Sequence, residues 1–128
     1  MSKPTRVQLS RKKGWRMPPG AVSVARPTRW GNPYDVREYG LELAMRLFED
    51  TARGCWLPAN VAHVDEPTAE ILYSLHCAWI KRLGGHGVPS DIARAELRGK
   101  HLACWCPMPA AGEPDHCHAA ILLRIANK

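Results

Sequence analysis

Cys104, Cys106, Cys117 and His118 are the residues of this 128-residue chain whose types and spacing could do chemistry. Thiolates attack electrophiles and bind soft metals, and imidazole moves protons near neutral pH. Three chemistries fit the set. In the first, Cys106 ends a strand and Cys117 or His118 opens the next helix, where unpaired N–H groups favour a thiolate or an oxyanion. Cys106, Cys117 and His118 are then nucleophilic or acid–base groups that need no cofactor. In the second, Cys104, Cys106, Cys117 and His118 hold zinc, since three sulfurs and one nitrogen are a permitted set. The adjacency of Cys117 and His118 counts against it, because neighbouring side chains on a helix diverge by about 100°. In the third, the thiols pack as small hydrophobes, which is the expectation for Cys55 and Cys77.

A second constellation is Arg26-Pro27-Thr28-Arg29-Trp30-Gly31-Asn32-Pro33-Tyr34. Arg26 and Arg29 suit a phosphate and Trp30 suits stacking on a base. Gly31 permits close backbone approach, and Asn32 carries the paired donor and acceptor of a base-edge reader. The competing reading is a turn in which Asn32 caps the backbone and Trp30 enters the core. Trp15 and Arg16, in Lys12-Lys13-Gly14-Trp15-Arg16, pose the same choice between ligand contact and loop anchor. Cleavage at an N-glycosidic bond wants a carboxylate near the sugar, and Asp35 is the candidate that follows this loop.

Both constellations need elements to position them. Arg6–Ser10 and Ala21–Ala25 alternate as short strands, and His101–Cys106 reads as a third. Asp35 opens a helix over Val36–Ala52, with Glu38 as its capping-box partner and Gly54 as its stop. Asp65 opens a second helix, whose stripe is Ile71, Leu72, Leu75, Ala78, Trp79 and Leu83. Ser90 or Asp91 caps a short helix to Arg98, and a last helix runs from Cys117 to Ala126. A fourth strand is expected near Val61. Strands interspersed with helices predict an α/β fold, a small Rossmann-like layered sheet with flanking helices, with α+β as the alternative. The whole chain, 1–128, reads as a single domain.

Charge is segregated. Residues 1–34 contain eight Lys or Arg and no acid, while the formal net charge of the whole chain is +6. A basic front segment of this kind favours a nucleotide or nucleic acid as partner. Composition is that of an ordinary globular domain, 45% apolar, with no run long enough to span a membrane. The polar, basic start lacks the apolar stretch of a signal peptide, so a cytoplasmic location with reduced thiols is expected.

Taken together, Arg6-Val7-Gln8, Gly14-Trp15-Arg16-Met17-Pro18, the Arg26–Pro33 segment, Leu102-Ala103-Cys104-Trp105-Cys106 and Cys117-His118-Ala119 resemble a family of small bacterial and phage proteins described as a domain of unknown function. The resemblance spans nearly the whole chain. It implies that the front loop and the cysteine–histidine end form one site. The family pattern has an acidic residue where this chain has Ala120, and the loop from Cys106 to Cys117 is longer here. The combined expectation is an enzyme acting on a nucleotide or nucleobase, glycosidase- or transferase-like. Its alternative is a zinc-stabilised, non-catalytic nucleic-acid-binding module, and a third possibility is an interaction protein whose motifs are structural.

Overall fold

The chain forms a small mixed α/β domain, seen in a computed structural model that describes residues 4–26, 28–53, 66–85 and 88–128. Three strands, β1 (Arg6–Gln8), β2 (Ala21–Ser23) and β3 (His101–Cys104), make one sheet. The last strand in sequence is the middle one, and it pairs in parallel with both neighbours. Leu102 pairs with Arg6 on one side and Val22 on the other. A central parallel strand is covered on both faces, and Leu102 and Ala103 are fully buried accordingly. All three strands end along one edge. The chain continues there into residues 9–20 after β1, into the Arg26–Tyr34 loop after β2, and into Trp105-Cys106 after β3.

Five helices surround the sheet among the described residues: α1 (Val36–Tyr39), α2 (Leu41–Ala52), α3 (Glu66–Arg82), α4 (Pro89–Leu97) and α5 (His118–Ala126). The helix expected over Val36–Ala52 is two, because Gly40 adopts φ 83°, ψ 155° and ends the first. Only glycine enters that region without a steric penalty. Asp35 does cap α1, accepting from Arg37 N–H at 2.8 Å. The short helix α4 starts two or three residues earlier than expected, with Val88 as its cap and Pro89 in its first turn, where the missing N–H is not needed. The expected features at Gly54, Cys55, Val61 and Asp65 lie outside the described residues.

The core lies between the sheet and the helices, with Tyr34, Phe48, Trp79, Leu102 and Leu122 all fully buried. Phe48 stacks on Trp79 at 4.6 Å. One buried polar chain crosses it: Tyr34 Oη lies 2.8 Å from Thr51 Oγ1, which lies 3.0 Å from His76 Nδ1. This chain fixes the rotation of α3. Leu72, His76, Trp79 and Leu83 face inward, whereas Ile71 and Cys77, expected inside, are exposed.

Candidate metal centre and the surface around it

Cys104 closes the central strand, Trp105 and Cys106 follow it, and Cys117-His118 begin α5. Cys104 and Cys106 place their sulfurs 3.8 Å apart. His118 Nδ1 lies 3.9 Å from Cys104 Sγ and 3.8 Å from Cys117 Sγ. The ligand atoms of Cys104, Cys117 and His118 all lie within 4.8 Å of one another. These three residues are 5%, 2% and 5% exposed, and Cys106 is half-buried at the outer side of the group.

The divergence expected of adjacent Cys117 and His118 does not occur, because only one of them is helical. Cys117 is the N-cap, with φ −86° and ψ 144°, and its sulfur accepts from Ala119 N–H at 3.5 Å. Extended backbone at the cap turns the thiol back over the first helical residue. Sequence spacing carries no sign of this, since the phase of the helix start decides it.

The imidazole is oriented by its other nitrogen. His118 Nε2 is 2.7 Å from the carbonyl oxygen of Val24, at the end of β2. A carbonyl only accepts, so Nε2 carries a proton, and the contact turns Nδ1 toward the sulfurs. A metal-ligating histidine is characteristically held by such a contact. Phe48 packs edge-on to the same ring at 5.2 Å. The thiols are linked by hydrogen bonds as well. Donation from Cys106, then Cys117, holds the Cys104 thiol far below its ordinary value, while giving a proton toward Cys104 pushes Cys106 and Cys117 up. A group that shares protons around one thiolate can exchange them for a divalent cation.

The loop between Cys106 and Cys117 is pinned from β1. Arg6 is buried, and its guanidinium donates to the carbonyls of Cys106 (2.8 Å) and Pro107 and to the carboxylate of Asp115. Asp115 in turn accepts from Cys117 N–H at 3.2 Å. One residue of the basic front is therefore a structural clamp on the cysteine segment. Nothing in the residue pattern distinguishes Arg6 from its exposed neighbours.

The front loop is compact. Trp30, Gly31 and Asn32 are buried, with Trp30 in the core and Arg29 against its ring. Asn32 Oδ1 accepts from Tyr34 N–H at 2.9 Å, and Arg26 Nε donates to Asn32 O at 2.8 Å. Arg29 pairs with Glu96, and its carbonyl accepts from Trp79 Nε1 at 2.8 Å. Asp35 is bonded to Arg37, whose side-chain and backbone hydrogen bonds hold its carboxyl below the usual range. The loop and the cysteine group line separate pockets. Arg26 and Asn32 line a pocket against α3, Arg29 and Trp30 line another against α4, and Cys106 and Cys117 border a third, of about 410 Å³, with Pro107, Asp115 and His116.

Arg26 and Arg29 are exposed, and so are four further cations of the front segment, Arg11, Lys12, Lys13 and Arg16, with Trp15 half-buried among these four. Arg11 places its guanidinium 4.8 Å from the ring centre of Trp105, which is 45% exposed. Trp105 is thus part of the surface, although its position between two cysteines drew attention to the sulfurs alone.

One family matches the sequence over residues 7–128, a domain of unknown function. The chain belongs to that family, DUF4326. The match takes in both the front loop and the cysteine–histidine end of this family member. No curated protein matches the chain, and no solved structure does. No helix among the described residues is long and apolar enough to cross a membrane.

Proposed function

We propose that the chain is a zinc-stabilised nucleic-acid-binding module, in which Cys104, Cys106, Cys117 and His118 hold the ion. The spacing of the ligand atoms carries the metal assignment. With Zn–S near 2.3 Å and Zn–N near 2.0–2.1 Å, a tetrahedron has edges of about 3.8 Å between sulfurs and about 3.6 Å from sulfur to nitrogen. Cys104 and Cys106 sulfurs stand 3.8 Å apart and His118 Nδ1 stands 3.9 Å and 3.8 Å from Cys104 and Cys117, while the group with all ligand atoms within 4.8 Å of one another is Cys104, Cys117 and His118. Burial of two of the thiols and fixation of His118 by Val24 support a closed, structural site rather than an attacking thiolate.

The same metal would present Trp105. The tryptophan sits between two of these cysteines, exposed, beneath the Arg11 guanidinium. Single-stranded nucleic acid is bound by this combination of a basic loop and an exposed ring, through phosphate contacts and base stacking. Trp105→Ala is expected to lower affinity for a short single strand by about 1–3 kcal/mol with the melting temperature unchanged. Fluorescence anisotropy of a labelled oligonucleotide, repeated at several salt concentrations, measures this. Equal binding by the variant and the parent at every salt concentration rejects the reading.

A second reading keeps a nucleotide-directed enzyme, and the half-buried Cys106 beside its cleft supports it. If Cys104, Cys117 and His118 alone hold the ion, the fourth position opens toward that cleft, as in catalytic sites. Asp115 would be the carboxylate on its wall. The Cys106 variant discussed below separates the two.

A further inference from the structure

The asparagine of the front loop has an amide nitrogen with no hydrogen-bond partner among the described residues. Asn32 is 5% exposed, and its Nδ2 is buried without a hydrogen bond. The assignment of the amide is not interchangeable, because the other atom accepts from Tyr34 N–H and must be the oxygen. A buried donor left unsatisfied costs about 1–3 kcal/mol, so a domain that keeps one has a use for it. Asn32 lines a pocket of about 460 Å³ together with Arg26, Pro33, Leu75, Ala78 and Arg82. Two arginines and this asparagine therefore share one pocket with three apolar residues.

The loop is built to hold this arrangement. Arg26 uses one N–H on Asn32 O, which leaves the rest of its fork available. Arg26 lies so close over Gly31 that a Cβ there would stand 2.9 Å from its Cγ and 3.1 Å from its Cα. Trp79 of α3 donates to the carbonyl of Arg29, which fastens the helix carrying Leu75, Ala78 and Arg82 to the loop.

We propose that this pocket is a small-molecule site for an oxyanion-bearing ligand of mononucleotide size, gripped by Asn32 Nδ2 and the Arg26 and Arg82 guanidiniums. The donors demand acceptor oxygens, and paired guanidiniums select phosphate or carboxylate among them. The volume lies within the range of small-ligand pockets, and Pro33, Leu75 and Ala78 offer the ligand's body apolar contact. The assignment depends neither on zinc nor on Trp105.

The test is calorimetric titration of the full, zinc-replete chain with adenosine monophosphate, inorganic phosphate and benzoate at fixed salt. Saturable one-to-one binding of at least one is expected. Phosphate competing with adenosine monophosphate assigns the grip to phosphates, and binding of benzoate alone assigns it to carboxylates. Asn32→Asp keeps the oxygen that caps Tyr34 and replaces the donor by an acceptor, so it should weaken binding at least tenfold. Exposed Arg82→Ala should do the same without touching the loop, and Trp105→Ala should change nothing. Failure of all three probes to saturate, or full affinity in Asn32→Asp and Arg82→Ala with intact melting curves, overturns the proposal.

Discussion

Removing the ligands of the cysteine–histidine group one at a time should produce a graded loss, and the grading follows from burial. A structural zinc ion contributes about 10–16 kcal/mol at neutral pH. Shared among four ligands, that is about 3–4 kcal/mol each, or on the order of two to three decades of affinity. The shares at this site are unequal. Cys104 is buried and central to the hydrogen-bonded thiols, whereas Cys106 is half-exposed at a cleft where water can take its place. Cys106→Ser should keep about one zinc per chain and lose on the order of a hundredfold in affinity. Cys104→Ser should not hold zinc in competition with a chromophoric chelator. His118→Ala should also fail to hold it, with a second loss that the metal does not explain. It deprives the buried Val24 carbonyl of its donor, at about 1–3 kcal/mol. In excess EDTA, therefore, His118→Ala should melt below the parent chain by several degrees, and Cys104→Ser should melt close to it. Elemental analysis, chelator competition and melting with and without EDTA supply the readouts. A parent chain purified from zinc-containing medium without the metal, and with a melting curve indifferent to EDTA, would falsify the zinc assignment. Equal losses in Cys106→Ser and Cys104→Ser would refute the outer placement of Cys106 and close the open-position reading with it.

Other outcomes follow from single contacts. Arg6→Ala leaves Asp115 and two carbonyls without their donor and should cost about 3–5 kcal/mol in denaturant unfolding. Arg6→Lys should recover little, since an ammonium cannot fork across three acceptors. Burial pushes the Tyr34 hydroxyl up to about 12 from 10.0, so the fold holds its proton more tightly than the unfolded chain does. That contribution is complete below pH 10 and is lost as pH rises toward 12, about 2–3 kcal/mol over the window. Tyr34→Phe should flatten that part of the stability profile. Gly40→Ala forces a side chain into φ 83° between α1 and α2 and should cost about 1–2 kcal/mol, read as a fall in melting temperature.

Much of the fold is legible in the residue pattern, and its failures share a cause. The strands at Arg6–Gln8, Ala21–Ser23 and His101–Cys104 lie within the expected segments, each shorter by two residues, the outer two because they pair in parallel with a four-residue central strand. Gly40 was hidden by an apolar stripe that continues in phase on both sides of it. The inward face of α3 was not legible, because its apolar residues allow more than one rotation. The buried link from Thr51 to His76, two polar side chains far apart in sequence, selects the observed one. The exposure of Cys77 is a consequence of that choice.

The cysteine group was legible as a count of ligands and illegible as a geometry, for a similar reason. Treating Cys117 and His118 as neighbours on one helix makes their side chains diverge. Moving the helix start by one residue makes Cys117 the cap, and the two ligand atoms then stand 3.8 Å apart. The sequence motif is the same in both cases. What selects the second is partly remote: Asp115, held by Arg6 from the other edge of the sheet, accepts from Cys117 N–H and ends the incoming loop there. The Cys117 sulfur then does two things at once, accepting from the Ala119 N–H of α5 and facing His118. A serine at this position still caps the helix, as one of the preferred capping residues, but supplies no thiolate. Cys117→Ser should therefore separate the two roles, with helix content kept in circular dichroism and zinc lost to the chelator. Loss of both together would mean that the metal, and not the cap, sets the helix start.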